Sequence, residues 1–382
     1  MLSNFKELRI AFVIPNLLPF GGNSGTVLHY IREASKHCDE VILLQSYDFK
    51  GKEEFPLNLL KEINNVKVIT LKLAWYKIVE STRSIPYGPV LHYLLFRPFV
   101  FFRKIFNRRI IHSLGNFDGL YLFDFVDSDI FPKESGPVIV GTHNQIMGAM
   151  KVRGIKMGLL LKRADGIRLF DSESEFAPQI RNKEVRIIPK GVNTALFYPR
   201  KTGINEKVKF LFVARLEPKK GLDILFEAWE KSQAYNIAEL HVVGSGRLAV
   251  KVKELGLKGM VYHGPLYDND LQEMYRSCDV FVFPTEWDAQ PTVIVEAVAS
   301  GLYTICSDYM EGVYDDFEKP GFLEYVKNDV PHFKESIIKA SRKKYDDFER
   351  RSEMHTLVDE KRSQKREVQS ILSFMEELRN NY

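Results

Sequence analysis

The strongest constraint on this chain is an alternation that runs, stops and starts again. Short runs of β-branched and aliphatic residues take turns with amphipathic stretches. Arg9–Ile14, Glu40–Leu44, Val66–Leu71, Gly119–Phe123, Val138–Gly141 and Ile167–Phe170 read as strands, and residues 27–36 read as a helix. Apolar runs of this kind suit strands covered on both faces. Their alternation with helices predicts βαβ units and a parallel sheet. The stretch 197–206 is polar, contains Pro and Gly, and breaks the pattern as a linker would. The pattern then resumes. Val208–Ala214, Glu239–Val243 and Val280–Phe283 read as strands, and 222–231, 270–277 and 292–300 as helices. The chain is therefore expected to be α/β, with one domain over 1–200 and a second over 201–359. The last stretch, 360–379, is charged but carries Val368, Ile371, Leu372, Phe374, Met375 and Leu378. It is predicted to be one helix with a single buried stripe.

A length of 382 residues suits two domains of the usual size, about 100–200 residues each. Apolar residues at 45% and charged residues at 27% exclude a disordered chain and a collagen. Cys38, Cys278 and Cys306 are too few and too scattered for a disulfide framework or a thiolate metal site. Residues 1–9 lack the apolar core of a signal peptide. The most apolar region, 90–111, is interrupted by His92, Arg97, Pro98, Arg103 and Lys104, so no spanning helix is expected. A cytoplasmic protein is the resulting expectation. The net charge of +4 is too small to suggest nucleic-acid binding.

Four segments carry residues able to do chemistry. Phe283 to Gly301 holds a strand end, a loop and a helix opening near Pro291, a residue suited to a first helical turn. Asp288 precedes that helix, and Glu296 lies about a turn and a half inside it. The unpaired N–H groups of Thr292 and Val293 could hold a phosphate. Equally, Asp288 could simply cap the helix. Arg215 and Lys220 follow the strand 208–214, at the sheet edge where open α/β sheets bind ligands. Two cations there suit a diphosphate, although a solvated basic loop is the plainer alternative. Gly21-Gly22 and Gly244-Ser-Gly246 follow strands without completing G-x-G-x-x-G, and either could be an ordinary turn. His143 follows the strand 138–141 and is open to a cleft role or a structural one. Asp127-Ser-Asp129 and Asp268-Asn-Asp270 have metal-type spacing, but the second opens a helix and reads as capping.

Taken together, these segments resemble the retaining glycosyltransferases of the GT-B fold known as family 4, or group 1. Gly21 and Gly22 resemble that family's N-terminal glycine loop, and His143 its cleft histidine. Ile187-Ile-Pro-Lys-Gly-Val-Asn193 resembles its Ile-Pro-Asn-Gly-Val-Asp. Arg215 and Lys220 match its Arg-x4-Lys pair, and Asp288 and Glu296 its E-x7-E pair. The departures are Asp288 for Glu (with Glu286 two residues away), Gln290 for an aromatic, Lys190 for Asn, and Met310-Glu-Gly312 for a glycine-rich turn.

The resemblance implies two Rossmann-like domains facing across a deep cleft, with the final helix, about 360–382, crossing back to the first domain. It implies transfer of a sugar from a nucleotide diphosphate sugar to an acceptor hydroxyl, with retention and without a metal or other cofactor. In that scheme Arg215, Lys220, Thr292 and Val293 hold the diphosphate, Glu296 the ribose and Asp288 the sugar. His143 stands at the anomeric centre. A GT-B epimerase and a silent GT-B subunit are the alternatives.

Charge distribution speaks to the acceptor. Residues 1–200 carry 28 basic and 19 acidic side chains, a net +9, against −5 for residues 201–382. Between 81 and 117 lie Arg83, Arg97, Arg103, Lys104, Arg108 and Arg109, with no acid and seven interleaved aromatics between Tyr87 and Phe106. On a helix, Arg97, Lys104 and Arg108 fall within about 40° of one another. Residues 151–163 add five more cations and no acid. The expectation is peripheral docking on an anionic inner membrane face, at roughly 1 kcal/mol per cation, beside a lipid-linked or glycan acceptor. Alternatively, the aromatics are core of the first domain.

Overall fold

A computed structural model describes residues 7–14, 22–45, 60, 62–70, 108–123, 131–141, 163–170, 183–201, 205–286, 288, 290–381. The chain divides into two units, one comprising 1–188 with 368–382 and the other 189–367. The contact boundary thus lies ahead of the polar stretch 197–206, which belongs to the second unit.

The first unit is built on a seven-stranded sheet of β1 (Arg9–Ile14), β2 (Glu40–Gln45), β3 (Val66–Thr70), β4 (Gly119–Phe123), β5 (Val138–Gly141), β6 (Gly166–Leu169) and β7 (Glu184–Ile187). Its order is β3-β2-β1-β4-β5-β6-β7 and every pairing is parallel. Successive side chains of a strand face opposite ways. On β1, Ile10, Phe12 and Ile14 accordingly join one apolar cluster while Ala11 and Val13 join another. Helix α1 (Gly22–Ser35) covers the first of these faces through Val27, Tyr30, Ile31 and Ala34. The edge strand β7 was not among the strands read from sequence. Its exposed residues give it little apolar signal. Its far end is held by Arg168, fully buried on β6, whose Nε donates to the Ile188 carbonyl at 2.8 Å and whose Nη1 donates to the Tyr121 hydroxyl at 3.0 Å.

The second unit contains a six-stranded parallel sheet. Its elements are β8 (Val208–Val213), α2 (Leu222–Ser232), β9 (Ala238–Val243), α3 (Ala249–Leu255), β10 (Met260–Gly264), α4 (Asp268–Ser277), β11 (Val280–Phe283), α5 (Thr292–Ala299), β12 (Tyr303–Ser307), α6 (Asp315–Glu318), β13 (Leu323–Val326), α7 (Val330–Ser341) and α8 (Phe348–Arg362). The order β10-β9-β8-β11-β12-β13 reverses direction between β8 and β11. A reversal of this kind puts the loops at the carboxyl ends of the two central strands at the edge where open α/β sheets take ligands in a crevice.

The predicted terminal helix is in fact two. α8 ends at Arg362, Ser363 is extended (φ −76°, ψ 147°), and α9 (Gln364–Asn380) begins beyond it. Ser363 sits there because it pairs as a bridge with Val192, with Val192 N–H donating to Arg362 and Gln364 N–H to Val192, both at 2.9 Å. Val368, Ile371, Leu372, Phe374, Met375 and Leu378 are all buried in the first unit's core, as the stripe predicted. The fit depends on glycine. A Cβ on Gly119 would lie 2.8 Å from Met375 Sδ, and one on Gly166 would lie 2.6 Å from Phe374 Cζ. The helix therefore rests on bare strand backbone. Met375→Ala is expected to lower the stability of the first unit by about 2–4 kcal/mol, read by urea unfolding, because the cavity left against Gly119 cannot collapse.

Candidate active site

The crevice of the second sheet is where the sequence-derived residues meet. Lys220 ends a single 3-10 turn, Pro218–Lys220, after β8, and Asp288 lies in the loop after β11. The strand order places these loops side by side, although 68 residues separate the two side chains in sequence. Lys220 Nζ donates to Asp288 Oδ2 in a largely enclosed ion pair, the side chains being 14% and 27% exposed. The same ammonium stands 5.8 Å from the centre of the Phe283 ring, close enough for a cation–π contact.

Backbone contact holds the two loops in register. The Glu286 N–H donates to the Lys219 carbonyl at 3.0 Å, and the Thr285 hydroxyl donates to the same carbonyl at 3.2 Å. Gly221, at φ +71°, is packed so closely on Pro284 that a Cβ would overlap its carbonyl. A third loop closes from the other side. Gly244 and Gly246, at φ +140° and +151°, bring the turn after β9 against Ala214 and Leu216, and the Leu216 N–H donates to Ser245 at 2.8 Å. The pair Gly244-Ser-Gly246 is thus a close-approach turn serving the Arg215 loop, a role the sequence left open. Arg215 itself is exposed in that loop.

Helix α5 begins at Thr292, and Pro291 precedes it without a side-chain cap. Asp288 therefore does not cap the helix as the alternative reading allowed; it faces Lys220. The first turn holds no acid, so the N–H groups of Thr292 and Val293 keep their partial positive charge. The turn is anchored from behind by Tyr314, fully buried, whose hydroxyl donates to the Pro291 carbonyl at 2.9 Å. Gln290, which stands where the resemblance expects an aromatic, is buried and accepts the Lys190 N–H at 2.6 Å. Glu286, the rival acid, is exposed and engages the neighbouring loop through its backbone N–H.

Glu296 lies within α5, partly exposed, and accepts a hydrogen bond from the Tyr275 hydroxyl at 2.9 Å. Burial raises its carboxyl above the ordinary carboxylate range, and hydrogen bonds from Tyr275 and Thr292 offset only part of that rise. Asp268, read from sequence as a cap, makes no capping bond; α4 starts from Tyr267 with Asp268 and Asp270 in its first turn, where their charge suits the helix end. Among the described residues no group of three or more His, Cys, Asp or Glu is placed to hold a metal. His143, Gly21, Asp127, Asp129, Arg97, Arg103 and Lys104 lie outside the described residues. Gly22 opens α1, while Arg108 and Arg109 are exposed at the start of a helical stretch over 108–113. No described helix is long and apolar enough to cross a membrane.

Comparison with known proteins converges on the same loops. Residues 196–356 match the family model of glycosyl transferases group 1. That stretch, under half of the chain, is what the family match covers. Its relatives include the mannosylfructose-phosphate synthase of Agrobacterium fabrum, 26% identical over 33% of this chain and 33% of that one. Another is the sulfoquinovosyl transferase SQD2 of Arabidopsis thaliana, 32% identical over 36% of this chain and 24% of its own. A third is the UDP-Gal:alpha-D-GlcNAc-diphosphoundecaprenol alpha-1,3-galactosyltransferase of Escherichia coli, 28% identical over 41% and 45%. The matched stretch thus spans less than half the length of these curated relatives. Likeness of fold extends much further. Anabaena HepE, solved with UDP, aligns over 97% of this chain and all of its own, with a TM-score of 0.66 at 16% identity. TarM aligns over 99% and 100%, with a TM-score of 0.70 at 13% identity. The fold of this chain is therefore GT-B, with two Rossmann-like domains.

Gly221→Ala is expected to force the Lys220 loop away from Pro284 and to cost about 1–3 kcal/mol in urea unfolding. Gly312→Ala, at a similar φ of +83° but with open space around it, is expected to cost no more than the smaller, backbone part of that amount.

Proposed function

We propose that this chain is a glycosyltransferase that moves a sugar from a nucleotide diphosphate sugar to an acceptor hydroxyl. The observation that carries the reading is the Lys220–Asp288 pair in the crevice, on the loop that leads into the uncapped start of α5. In the reaction the acceptor oxygen bonds to the anomeric carbon while the bond from that carbon to the diphosphate oxygen breaks. The acceptor's proton passes to the departing phosphate. One further negative charge develops on the leaving diphosphate as that bond breaks, and groups fixed in advance are worth most against charge that grows in the transition state. Arg215, Lys220 and the Thr292 and Val293 N–H groups supply that positive potential from side chains and backbone, so the reading assigns no metal to the step. Glu296 accepts the ribose hydroxyls and Asp288 a hydroxyl of the sugar, while His143 orients the anomeric centre. Retention of configuration is assigned on the family resemblance, and the Escherichia coli relative likewise forms an alpha linkage by its name.

The HepE complex with UDP supports a nucleoside diphosphate as the donor's leaving group. The name of the Escherichia coli relative includes a diphosphoundecaprenol acceptor, which supports a lipid-linked acceptor here. The acid-free stretch containing Arg97, Arg103, Lys104, Arg108 and Arg109 would then hold the enzyme at an anionic membrane surface.

The resting ion pair makes a directional test. Lys220 must exchange Asp288 for phosphate when donor binds. Asp288→Asn is therefore expected to tighten binding of the free nucleoside diphosphate by about fivefold, roughly 1 kcal/mol, while lowering turnover of the nucleotide sugar. Lys220→Ala and Glu296→Ala should each abolish transfer in a donor screen that includes donor-only incubations. Unchanged turnover in either variant, or epimerised donor without acceptor, would remove the proposal.

A further inference from the structure

Glu296 does not stand alone behind the crevice. Its Oε2 accepts the Tyr275 hydroxyl at 2.9 Å, and the Thr292 side chain, one helical turn earlier, bonds to the same carboxylate. Tyr275 closes the helix α4 and is fully buried. Its ring is wedged edge-on against Phe197, with centroids 5.4 Å apart and planes at 88°, and it lies 6.1 Å from the Phe281 ring of β11. The phenol therefore cannot swing away. Packing from the segment that enters the second unit, from α4 and from β11 fixes where its proton points.

We propose that Tyr275 is a positioning residue for nucleotide binding: its hydroxyl, with that of Thr292, clamps the Glu296 carboxylate in the ionised, ligand-facing state. The inference rests on the ribose-binding role proposed for Glu296. A carboxylate has about four acceptor positions, so the two hydroxyls leave others for a vicinal diol. The ionised form offers the most acceptors and the strongest; a protonated carboxyl would turn one oxygen into a donor toward the diol. Burial works against ionisation at Glu296, and a donated hydrogen bond is the direct remedy. Tyrosine suits the task because burial raises its own phenol well above its usual value, which keeps it a donor at every physiological pH. Cys278, whose thiol burial pushes up to about 12, is the titratable neighbour of Tyr275 and stays neutral.

The test is a double-mutant cycle with a ligand-free arm. UDP, GDP and ADP are titrated by calorimetry into the full chain, and the tightest is carried forward. Tyr275→Phe keeps the ring and removes the hydroxyl. It should weaken that nucleotide about tenfold and raise the donor KM to match, with kcat within about twofold. In a Glu296→Gln background, which has no carboxylate to hold, Tyr275→Phe should change affinity by less than about twofold. Thr292→Val, at the partly exposed start of α5, should repeat the pattern more weakly and replaces Tyr275→Phe if that variant fails to fold. In the ligand-free arm, carboxyl-labelled glutamate is titrated by NMR, with the Glu296 signal assigned by its loss in Glu296→Gln. Tyr275→Phe, or Thr292→Val in its place, should raise the Glu296 midpoint, by about one unit for the tyrosine variant. Equal losses in both backgrounds, or a loss confined to kcat, or an unmoved midpoint, would overturn the clamp. If the wild-type chain binds none of the three nucleotides, the donor role falls, and the titration alone decides whether Tyr275 holds Glu296 ionised.

Discussion

Backbone touching backbone is the condition on which the candidate site depends. At the carboxyl edge of the second sheet, Gly221 lies against the Pro284 carbonyl, and Gly244 and Gly246 lie against Ala214 and Leu216. No residue with a Cβ fits at these contacts, and each glycine holds a φ that other residues rarely adopt. Three loops from three strands are thereby pressed into one surface. The charged side chains they carry then have little freedom in where they meet. Lys220 finds Asp288 because the Lys219 carbonyl already holds the Thr285 hydroxyl and the Glu286 N–H. The ion pair is a consequence of the loop geometry more than a cause of it.

Electrostatics build on that frame by keeping the site short of full neutralisation. Lys220 has a resting partner in Asp288, whereas the first turn of α5 has no acid and Arg215 projects into solvent. A carboxylate lodged at the helix start would have filled the anion position. Its absence from the cap, with Tyr314 holding Pro291 from behind, leaves the N–H groups pointed at whatever enters the crevice. The polar support lies one layer deeper, in hydroxyls of buried tyrosines whose protons are too strongly held to be lost.

Much of this was legible before any coordinates. Fully covered strands such as β1, β4, β5 and β11 announce themselves because both faces must be apolar, so a run of aliphatic residues has few other uses. The strand β7 did not, since it is four residues long and its charged Glu184 and Arg186 break the apolar run. The break at Ser363 was equally silent. It is imposed by a bridge to Val192, 171 residues earlier, and nothing in the local sequence records a partner so distant. At the site, the spacing of Asp288 and Glu296 and of Arg215 and Lys220 could be read directly. Which acid faces Lys220 could not, because that choice is made by Pro284 and Gly221 in contact. The hydroxyl of Tyr275 was hidden for the opposite reason: a tyrosine at the end of an amphipathic helix looks like core until its one polar atom is traced.

The placement of α9 has a consequence for how the molecule comes into being. The second unit is one continuous stretch, 189–367, but the first is assembled from residues 1–188 and the last fifteen of the chain. During synthesis from the N-terminus, the sheet of the first unit can be complete in strands while the grooves over Gly119 and Gly166 still lack Met375 and Phe374. An apolar sheet face then waits through the making of a whole second unit, which at about 5–20 residues per second amounts to some tens of seconds or less. The first unit can therefore be finished only after the second has been made.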